Sequence, residues 1–501
     1  MVLRPLAIVA VVCAVCLLSG CATVNPKRDY ERTSQHVAAA TGTESLALPD
    51  DDALLSEKVN ELLAAGLTAD EAVQLCLLNN PRVKSAFFAI GMARADLVQS
   101  GLFRNPSLFL STRLPDGGGL SNIELVLGQN IADLWLIPIR KKAAQGELER
   151  QILSVAREVS AVALDTRAAY FKAVGAEREF EIAVENRDVA NQLLDIARAR
   201  QQAGVGSEID VNLARAGFME TDLAVRTTKL AAFEAKRELV VLLGLRTPPG
   251  DLQLAETLPD PPKWALSQER LLALASSSRL DLQAASRVVD AAAARVRQEK
   301  LNVFANVEVG VAMEREERPP ASDRNLLFDT LHESVQAGQL TAPELLREDD
   351  GGQDVIVGPT LSLDLPIFDQ NQAQIAKAEF AYRQAILARE TLTLEIVQEA
   401  RTAYERATTV WDVSNYYRDQ VVPLLQYNLE LSREAYRAGK LSFLSVLEAQ
   451  QQLLATRAKH VQALRAAAVV VVELEKAIGQ PMGKILADEP RPDAPKSDNG
   501  P

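Results

Sequence analysis

The chain repeats itself. Asn80-Pro81-Arg82-Val83-Lys84-Ser85-Ala86 has the pattern of Arg279-Leu280-Asp281-Leu282-Gln283-Ala284-Ala285, 199 residues later. Ala203-Gly204-Val205-Gly206-Ser207, followed by Val211 and Ala214, has that of Ala438-Gly439-Lys440-Leu441-Ser442, followed by Val446 and Ala449, 235 residues later. The 36-residue difference places an insertion in the second copy, between the two anchors. Such a chain folds as two pseudo-equivalent units rather than around one unique core.

Both copies present the same elements in the same order. A helix of about 35 residues comes first (68–101 and 267–301), and Thr68 with Glu71 forms a capping box for the first of these. Two alternating strands follow. Then comes a helix of about 65–70 residues (138–203 and 370–437), a tight Ala-Gly turn, and a return helix of about 37–40 residues. The long helix would extend on the order of 100 Å, wider than any single globular core. Ile152, Val155, Val159, Val162, Thr166, Ala169, Ala173, Ala176, Phe180 and Ala183 step by three and four, the seam of a coiled coil. Ile396, Ala400, Ala403, Ala407 and Val410 repeat that seam in the second copy. Pro423 predicts an irregularity in the second long helix alone, because Asp188 stands at the matching position of the first.

The strands alternate. Leu108, Leu110, Thr112 and Leu114 share a face opposite Ser107, Phe109, Ser111 and Arg113. Ile123, Leu125 and Leu127 oppose Glu124, Val126 and Gly128, and Val307, Val309, Val311 and Met313 oppose Glu308, Gly310, Ala312 and Glu314. Val355, Val357, Leu361, Leu363 and Leu365 oppose Ile356, Gly358, Thr360, Ser362 and Asp364. Each is about ten residues, the length a tilted membrane strand needs, although a half-buried soluble sheet uses the same alternation. Four strands cannot close a barrel, which needs about eight or more. The insertion, roughly 315–354, joins the last two strands as a hairpin loop and carries a helical signal near Leu340-Thr341-Ala342-Pro343.

The amino terminus is an address. Arg4 precedes an apolar run from Leu6 to Leu18, too short for a bilayer span of roughly 20 residues and suited to a secretory signal. Leu18-Ser19-Gly20-Cys21 resembles the bacterial lipobox, which makes Cys21 the first mature residue, carrying diacylglycerol and palmitate; Ala22 fits sorting to the outer membrane. The resulting division is a signal peptide over 1–20, a lipidated and mostly extended arm over 21–66 and a first repeat over 67–245. A proline-stopped linker over 246–266, a second repeat over 267–480 and a disordered tail over 481–501 follow. Function classes narrow from the other side. A net charge of −13 disfavours nucleic acid. Three histidines and four cysteines, scattered, leave little for a metal site, and no nucleophile–base pair or phosphate loop is present, so no enzyme and no cofactor are expected.

These residues resemble the TolC family of outer-membrane efflux ducts, in its lipoprotein branch. Leu67-Thr68-Ala69-Asp70-Glu71-Ala72-Val73 through Asn80-Pro81, then Asn105-Pro106-Ser107-Leu108, looks like the family's opening. Leu365-Pro366-Ile367-Phe368-Asp369 looks like its second strand-to-helix junction, and Ala438-Gly439 through Ser445-Val446-Leu447-Glu448-Ala449 like its second helical tip. The resemblance spans about residues 62–480. It implies a mainly α fold with a small β part, in which duplicated long helical hairpins and four membrane strands per chain form a trimeric α-barrel with a 12-stranded β-barrel. It implies passive conduction to the cell exterior in a tripartite efflux system, by a protein lipid-anchored in the outer membrane of a Gram-negative bacterium with its helical part in the periplasm. The partners would be a periplasmic adaptor and an inner-membrane pump, with the RND type among the candidates.

By position the resemblance puts a gate carboxylate on Glu448. It leaves Ser445 where a second acid would stand, and assigns Tyr436 and Asp210 to a closing link whose arginine falls on Leu441, beside Lys440. The bland alternative for Glu448 and Asp210 is a solvated helix face. Gly204, Val205, Gly439 and Lys440 would be the exposed tips that meet the adaptor. Arg140-Lys141-Lys142 is either a headgroup contact or a solvated cluster. Two rival readings stand: a lipid-anchored periplasmic adaptor, which needs one hairpin and several β-rich domains, and a structural coiled-coil lipoprotein without a pore. The substrate is not legible.

Overall fold

The computed structural model describes residues 22–43, 59, 61–63, 66–114, 121–260, 267–317, 326–339 and 353–487. They fall into two compact units. One takes Met1–Ala95, Gly146–Val289 and Gln384–Pro501; the other takes Asp96–Gln145 and Asp290–Arg383. In chain order the helices and strands are α1 (Lys27–Thr41), α2 (Ala69–Asn79), α3 (Pro81–Ser100), β1 (Ser107–Arg113), β2 (Asn122–Asn130), α4 (Asp133–Gln202) and α5 (Glu208–Leu242). The second repeat adds α6 (Gln268–Ser278), α7 (Leu280–Leu301), β3 (Val307–Glu317), α8 (Leu326–Ala337), β4 (Gln353–Leu363), α9 (Gln372–Tyr416), α10 (Val422–Arg437), α11 (Phe443–Ile478) and α12 (Met482–Ala487).

The predicted seam of α4 is its core. Ile152, Val155, Val159, Val162, Thr166, Ala169, Ala173, Ala176 and Ala183 are all buried, and Phe180 is half-buried. In α9, Ile396, Ala400 and Ala407 are buried likewise, with Trp411 one helical step on. Small side chains on these seams let helix axes approach closely. Helix α4 is 70 residues long and begins at Asp133, five residues before the start that the sequence predicts at Pro138. The second long helix is interrupted where Pro423 predicts. A five-residue π segment, Tyr417–Val421, precedes it, and Pro423 enters α10 in its first turn, where a missing N–H costs least.

Each short first helix, expected as one element, divides in two, at Asn80 and at Arg279. At the first break, Asn79 and Asn80 donate side-chain N–H bonds to the carbonyls of Leu242, Leu243 and Gly244, at 2.7–3.0 Å, where α5 ends. At the second, the Ser278 hydroxyl bonds the Ile478 carbonyl at 2.9 Å and Arg279 bonds that of Ala477 at 3.0 Å, where α11 ends. Unpaired terminal carbonyls are thereby satisfied by side chains from the start of the same repeat. Gly244, at φ +68°, has room for no Cβ: one would lie 2.9 Å from the Asn79 carbonyl oxygen. Gly244→Ala is therefore expected to cost about 1–3 kcal/mol of stability, read as a lower urea midpoint at unchanged slope.

Two sequence expectations are corrected. Within the 21–66 arm, expected to be mostly extended, Lys27–Thr41 form α1. Polar overall, this helix still buries Tyr30, Thr33, Val37 and Thr41 at helical spacing, and Asp29 pairs with Arg94 at 2.6 Å. A stripe of mixed polar and apolar residues escapes a purely hydrophobic pattern. The 481–501 tail is helical over Met482–Ala487, with Met482 and Ile485 buried in the cluster that holds Trp411 and Leu474. The rest of that tail, the signal peptide and Cys21 lie outside the described residues.

The smaller unit is built on one antiparallel sheet in the order β1-β2-β3-β4. Register aligns Leu108, Leu127, Val311 and Pro359 in one row, and Leu110, Leu125, Met313 and Val357 in the next. All the predicted apolar alternates therefore share one face, while Glu124, Glu314, Gly128, Gly310 and Ser362 belong to the other. Glu317 pairs with Gln353, so the insertion is a hairpin loop as expected. Its described helix is Leu326–Ala337; the 340–343 signal lies outside the described residues.

Where strands give way to helices, polar side chains tie the chain together. Asp133, fully buried, accepts from the Arg104 backbone at 2.7 Å, from its guanidinium at 3.1 Å and from Arg140 at 2.9 Å. Burial alone would raise its pKa, but the Arg104 and Arg140 contacts outweigh this and hold the carboxyl below its ordinary range. Of the basic cluster at the start of α4, Arg140 thus has a structural partner, while Lys141 and Lys142 are exposed.

Candidate functional site: hairpin tips and a bare apolar sheet

Two features are built in a way that ordinary folding does not need. The first is the sheet. Leu108 (68% exposed), Leu110, Val311, Val355, Val357 and Leu361 (72%) leave its apolar face uncovered on the single chain. An apolar band of this extent marks a surface that meets lipid or another chain. β1 and β4 are the outer strands, each with one edge unpaired in the sheet.

The second feature is the pair of helical tips. Both close in the same way. Val205 N–H bonds the Arg200 carbonyl and Gly204 N–H that of Gln201, each at 3.0 Å; Lys440 bonds Ala435 at 2.8 Å and Gly439 bonds Tyr436 at 2.9 Å. This is the Schellman arrangement, and it requires the left-handed backbone that Gly204 (φ +75°) and Gly439 (φ +71°) supply. Val205 and Lys440 are exposed at the points of the turns.

The return helices start on matching caps that differ in charge. Ser207 accepts from the Asp210 backbone and donates its own N–H to the Asp210 carboxylate, both at 3.1 Å. Bonding to the Ser207 backbone, then to its hydroxyl, holds the Asp210 carboxyl below the ordinary carboxylate range, and the Arg200 charge adds to this. Ser442 caps α11 in the same way, accepting from Ser445 N–H at 3.3 Å. Ser445 is thus the counterpart of Asp210 in the second copy. Its hydroxyl lies 3.2 Å from that of Ser442, and no carboxylate stands there. Glu448, one turn further on, is exposed.

Of the residues predicted for the closing link, Asp210 bonds the Ser207 cap and lies within the field of Arg200. The Tyr436 hydroxyl is instead bonded by the Arg200 guanidinium, from the end of α4. The Arg200 carbon lies 5.4 Å from the Tyr436 ring centre and 5.9 Å from that of Phe443. Phe443 is buried against Leu194, Ala197 and Ala214, so the second hairpin inserts a side chain into the first. Arg433 bonds Gln450 across the second hairpin at 2.9 Å. Sequence reasoning missed Arg200 and Phe443. A basic residue in a last helical turn is ordinary, and its partner is 236 residues away.

Comparison with known proteins matches residues 271–480 to the family model for outer membrane efflux proteins. Over those residues, which make up the second repeat, the chain is similar to the outer membrane efflux protein family. It is 22% identical to the cobalt-zinc-cadmium resistance protein CzcC of Cupriavidus metallidurans, over 83% of this chain and 91% of that protein. It is 22% identical to nodulation protein T of Rhizobium leguminosarum bv. viciae, over 85% of this chain and 83% of that one. Among solved structures, the outer membrane channel CmeC of Campylobacter jejuni superposes with a TM-score of 0.62 at 16% identity, covering 89% of this chain and 92% of CmeC. That superposition establishes the mostly helical fold with a small antiparallel sheet. The family is one of transport channels and not of enzymes.

Proposed function

We propose that this chain is the outer-membrane channel of a tripartite efflux assembly, a passive duct from an inner-membrane pump through a periplasmic adaptor to the cell exterior. The observation that carries the reading is the uncovered apolar face of a sheet with two free edges. Three copies joined edge to edge would supply twelve strands, remove every edge and turn that face to lipid. The opposite face, with Glu124, Glu308, Glu314 and Ser362, would line water. Diacylglycerol and palmitate on Cys21 would anchor each copy, since the sequence preceding it has lipobox form. The tips at Gly204–Val205 and Gly439–Lys440 would meet the adaptor, and Glu448 would stand at the periplasmic constriction. Three carboxylates about a threefold axis favour cations over anions.

Two experiments test this reading in cells. Radiolabelled palmitate is expected to label the wild type and to leave Cys21→Ser unlabelled; equal labelling of both would remove the anchor from the account. Photo-crosslinkers at Val205 and Lys440 are expected to capture a periplasmic adaptor, while one at Glu185, exposed in mid-helix, does not. Capture at Glu185 alone, or equally at all three, would contradict the assignment of the tips.

A further inference from the structure

We propose that the helix ends beside the sheet carry a basic collar, Lys142 and Lys377 with Arg295 and Arg297, that binds the phosphates of anionic glycerophospholipid headgroups. The inference rests on the reading above of the apolar sheet face as a lipid wall. All four residues belong to the smaller unit. Register brings the four strand-to-helix junctions to one end of the sheet: Ser107 pairs with Gly128, Gln129 with Val309 and Val307 with Leu363. Each junction leaves a large apolar side chain in the open. These are Phe103 before β1, Leu134 after β2, Phe304 before β3 and Phe368, 91% exposed, after β4. Such residues at one end of an uncovered apolar wall mark where hydrocarbon gives way to headgroups.

The basic side chains come next along the chain. Lys142 is eight residues past Leu134, Lys377 nine past Phe368, and Arg297 and Arg295 seven and nine before Phe304. Seven to nine residues of helix span about 10–14 Å. Long basic stems reach back toward the apolar belt, which brings their heads to a headgroup layer about 5–8 Å thick on each side of a bilayer. Two contacts hold Lys377 and Arg297 in one layer: Asn371 donates to the Glu299 carbonyl at 2.7 Å, and Lys300 pairs with Glu379 at 3.1 Å. Lys142 and Lys377 stand at the same position of the two repeats, 235 residues apart. All four basic residues are exposed, and none has an ion pair among the described residues. Neighbouring acids are already bonded: Asp133 to Arg104 and Arg140, Glu379 to Lys300, Glu299 to Asn371 and Asp364 to Asn306. Segments 96–106, 131–145, 290–306 and 364–383 together hold nine basic and seven acidic residues, in a chain of net charge −13. Arg295 and Arg297 also suit the carboxyl end of α7 by its dipole, but Lys377, in the second turn of α9, gains nothing from that effect. A locally basic rim on an apolar wall, in an otherwise acidic chain, fits a surface that offers hydrocarbon and phosphate together.

The test is spin-label spectroscopy on the full-length, lipidated protein reconstituted in phosphatidylcholine vesicles. Trace spin-labelled phosphatidylglycerol or phosphatidylcholine reports the lipid held at the protein surface. At low salt the wild type should hold the glycerol lipid about fivefold more strongly, the factor that corresponds to about 1 kcal/mol per basic residue near a charged surface. Lys142→Gln with Lys377→Gln should at least halve that preference. Adding Arg295→Gln and Arg297→Gln should bring it near one, as should high salt on the wild type. Lys229→Gln with Lys459→Gln removes two exposed charges from the helical unit and should leave it unchanged. The held phosphatidylcholine fraction should be equal in all variants, which shows that they are folded and inserted; where the fourfold variant does not reconstitute, the single lysine substitutions carry the comparison. A preference that survives these substitutions, or that falls equally in the Lys229 and Lys459 variant, overturns the collar. Equal binding of both lipids by the wild type does so too, the result expected of side chains that line the bore. Inorganic phosphate should act only through its ionic strength, and a stronger effect would assign the cations to a soluble anion instead. If the wild type holds no lipid of either kind, the lipid-wall reading fails and the collar with it.

Discussion

Arg279→Leu is expected to destabilise the helical unit by about 3 kcal/mol, the low end of what breaking a buried ion pair costs. Arg279 is only 4% exposed and has four partners. It bonds Asp281 at 2.6 Å, Glu399 at 2.8 Å and the Ala477 carbonyl at 3.0 Å, and it packs against Gly479. Leucine fills the space but takes the guanidinium from Asp281, which keeps the Leu282 N–H at 3.0 Å and Arg157 at 3.6 Å, and removes one of the two side-chain donors at the end of α11. The lower figure applies because Glu399 is half in water and regains solvation when released. The same cluster has a pH signature. Burial pushes the Asp281 carboxyl up, but Arg279 and then Arg157 pull it further down, so its folded pKa is below the ordinary value. A depressed carboxyl pKa contributes stability that is present above the unfolded pKa and is lost as pH falls through the folded one. Acid should therefore weaken the wild type more than Arg279→Leu, in which the largest lowering contribution is gone and those of Arg157 and the Leu282 N–H remain. Urea unfolding followed by helical circular dichroism, at neutral pH and near pH 3, measures both effects. Equal midpoints for the two proteins at neutral pH would show that the cluster is not structural.

The second large effect separates the two faces of the sheet. Val311 and Ala312 are neighbours on β3, but Val311 shares its face with Leu127 and Pro359, and Ala312 with Val126 and Gly358. In the proposed barrel Val311→Arg puts a guanidinium into lipid, at about 2–4 kcal/mol per copy near the midplane. Three copies make the loss threefold, so assembly in the outer membrane should fail. Ala312→Arg points the same group at water and acidic neighbours and should leave assembly intact. Flotation of outer membranes with gel analysis of unheated samples reads the outcome. Tolerance of Val311→Arg, with loss in Ala312→Arg, would invert the wall.

Much of this was legible before any coordinates, for physical reasons. The strands alternate with period two, and pairing preserves the face, so Leu108 and Val311 could be assigned to one surface without knowing that they are neighbours. The seam from Ile152 to Ala183 was legible because a helix repeats its neighbours every three or four residues. The match of Asn80 with Arg279 was legible as an anchor, though not as a cap on the distant carbonyls of Leu242 and Ala477. What escaped is non-local or polar. Helix α1 hides behind a polar composition and is held by Asp29–Arg94 and by Arg32–Glu149 at 2.6 Å. Tyr436 is legible from the resemblance, but its bond with Arg200 is not: the capping of Asp210 is local, whereas the approach of Arg200 depends on how two hairpins pack.

The account stands or falls on whether copies of this chain together make one pore. Mass determination by light scattering on the detergent-extracted, lipidated protein, followed by single-channel recording from the same fraction, tests it most directly. The expected result is a particle of three chains whose channel steps disappear when Val311→Arg prevents assembly. A monomeric particle that conducts, or a stable three-chain particle that never does, would contradict it.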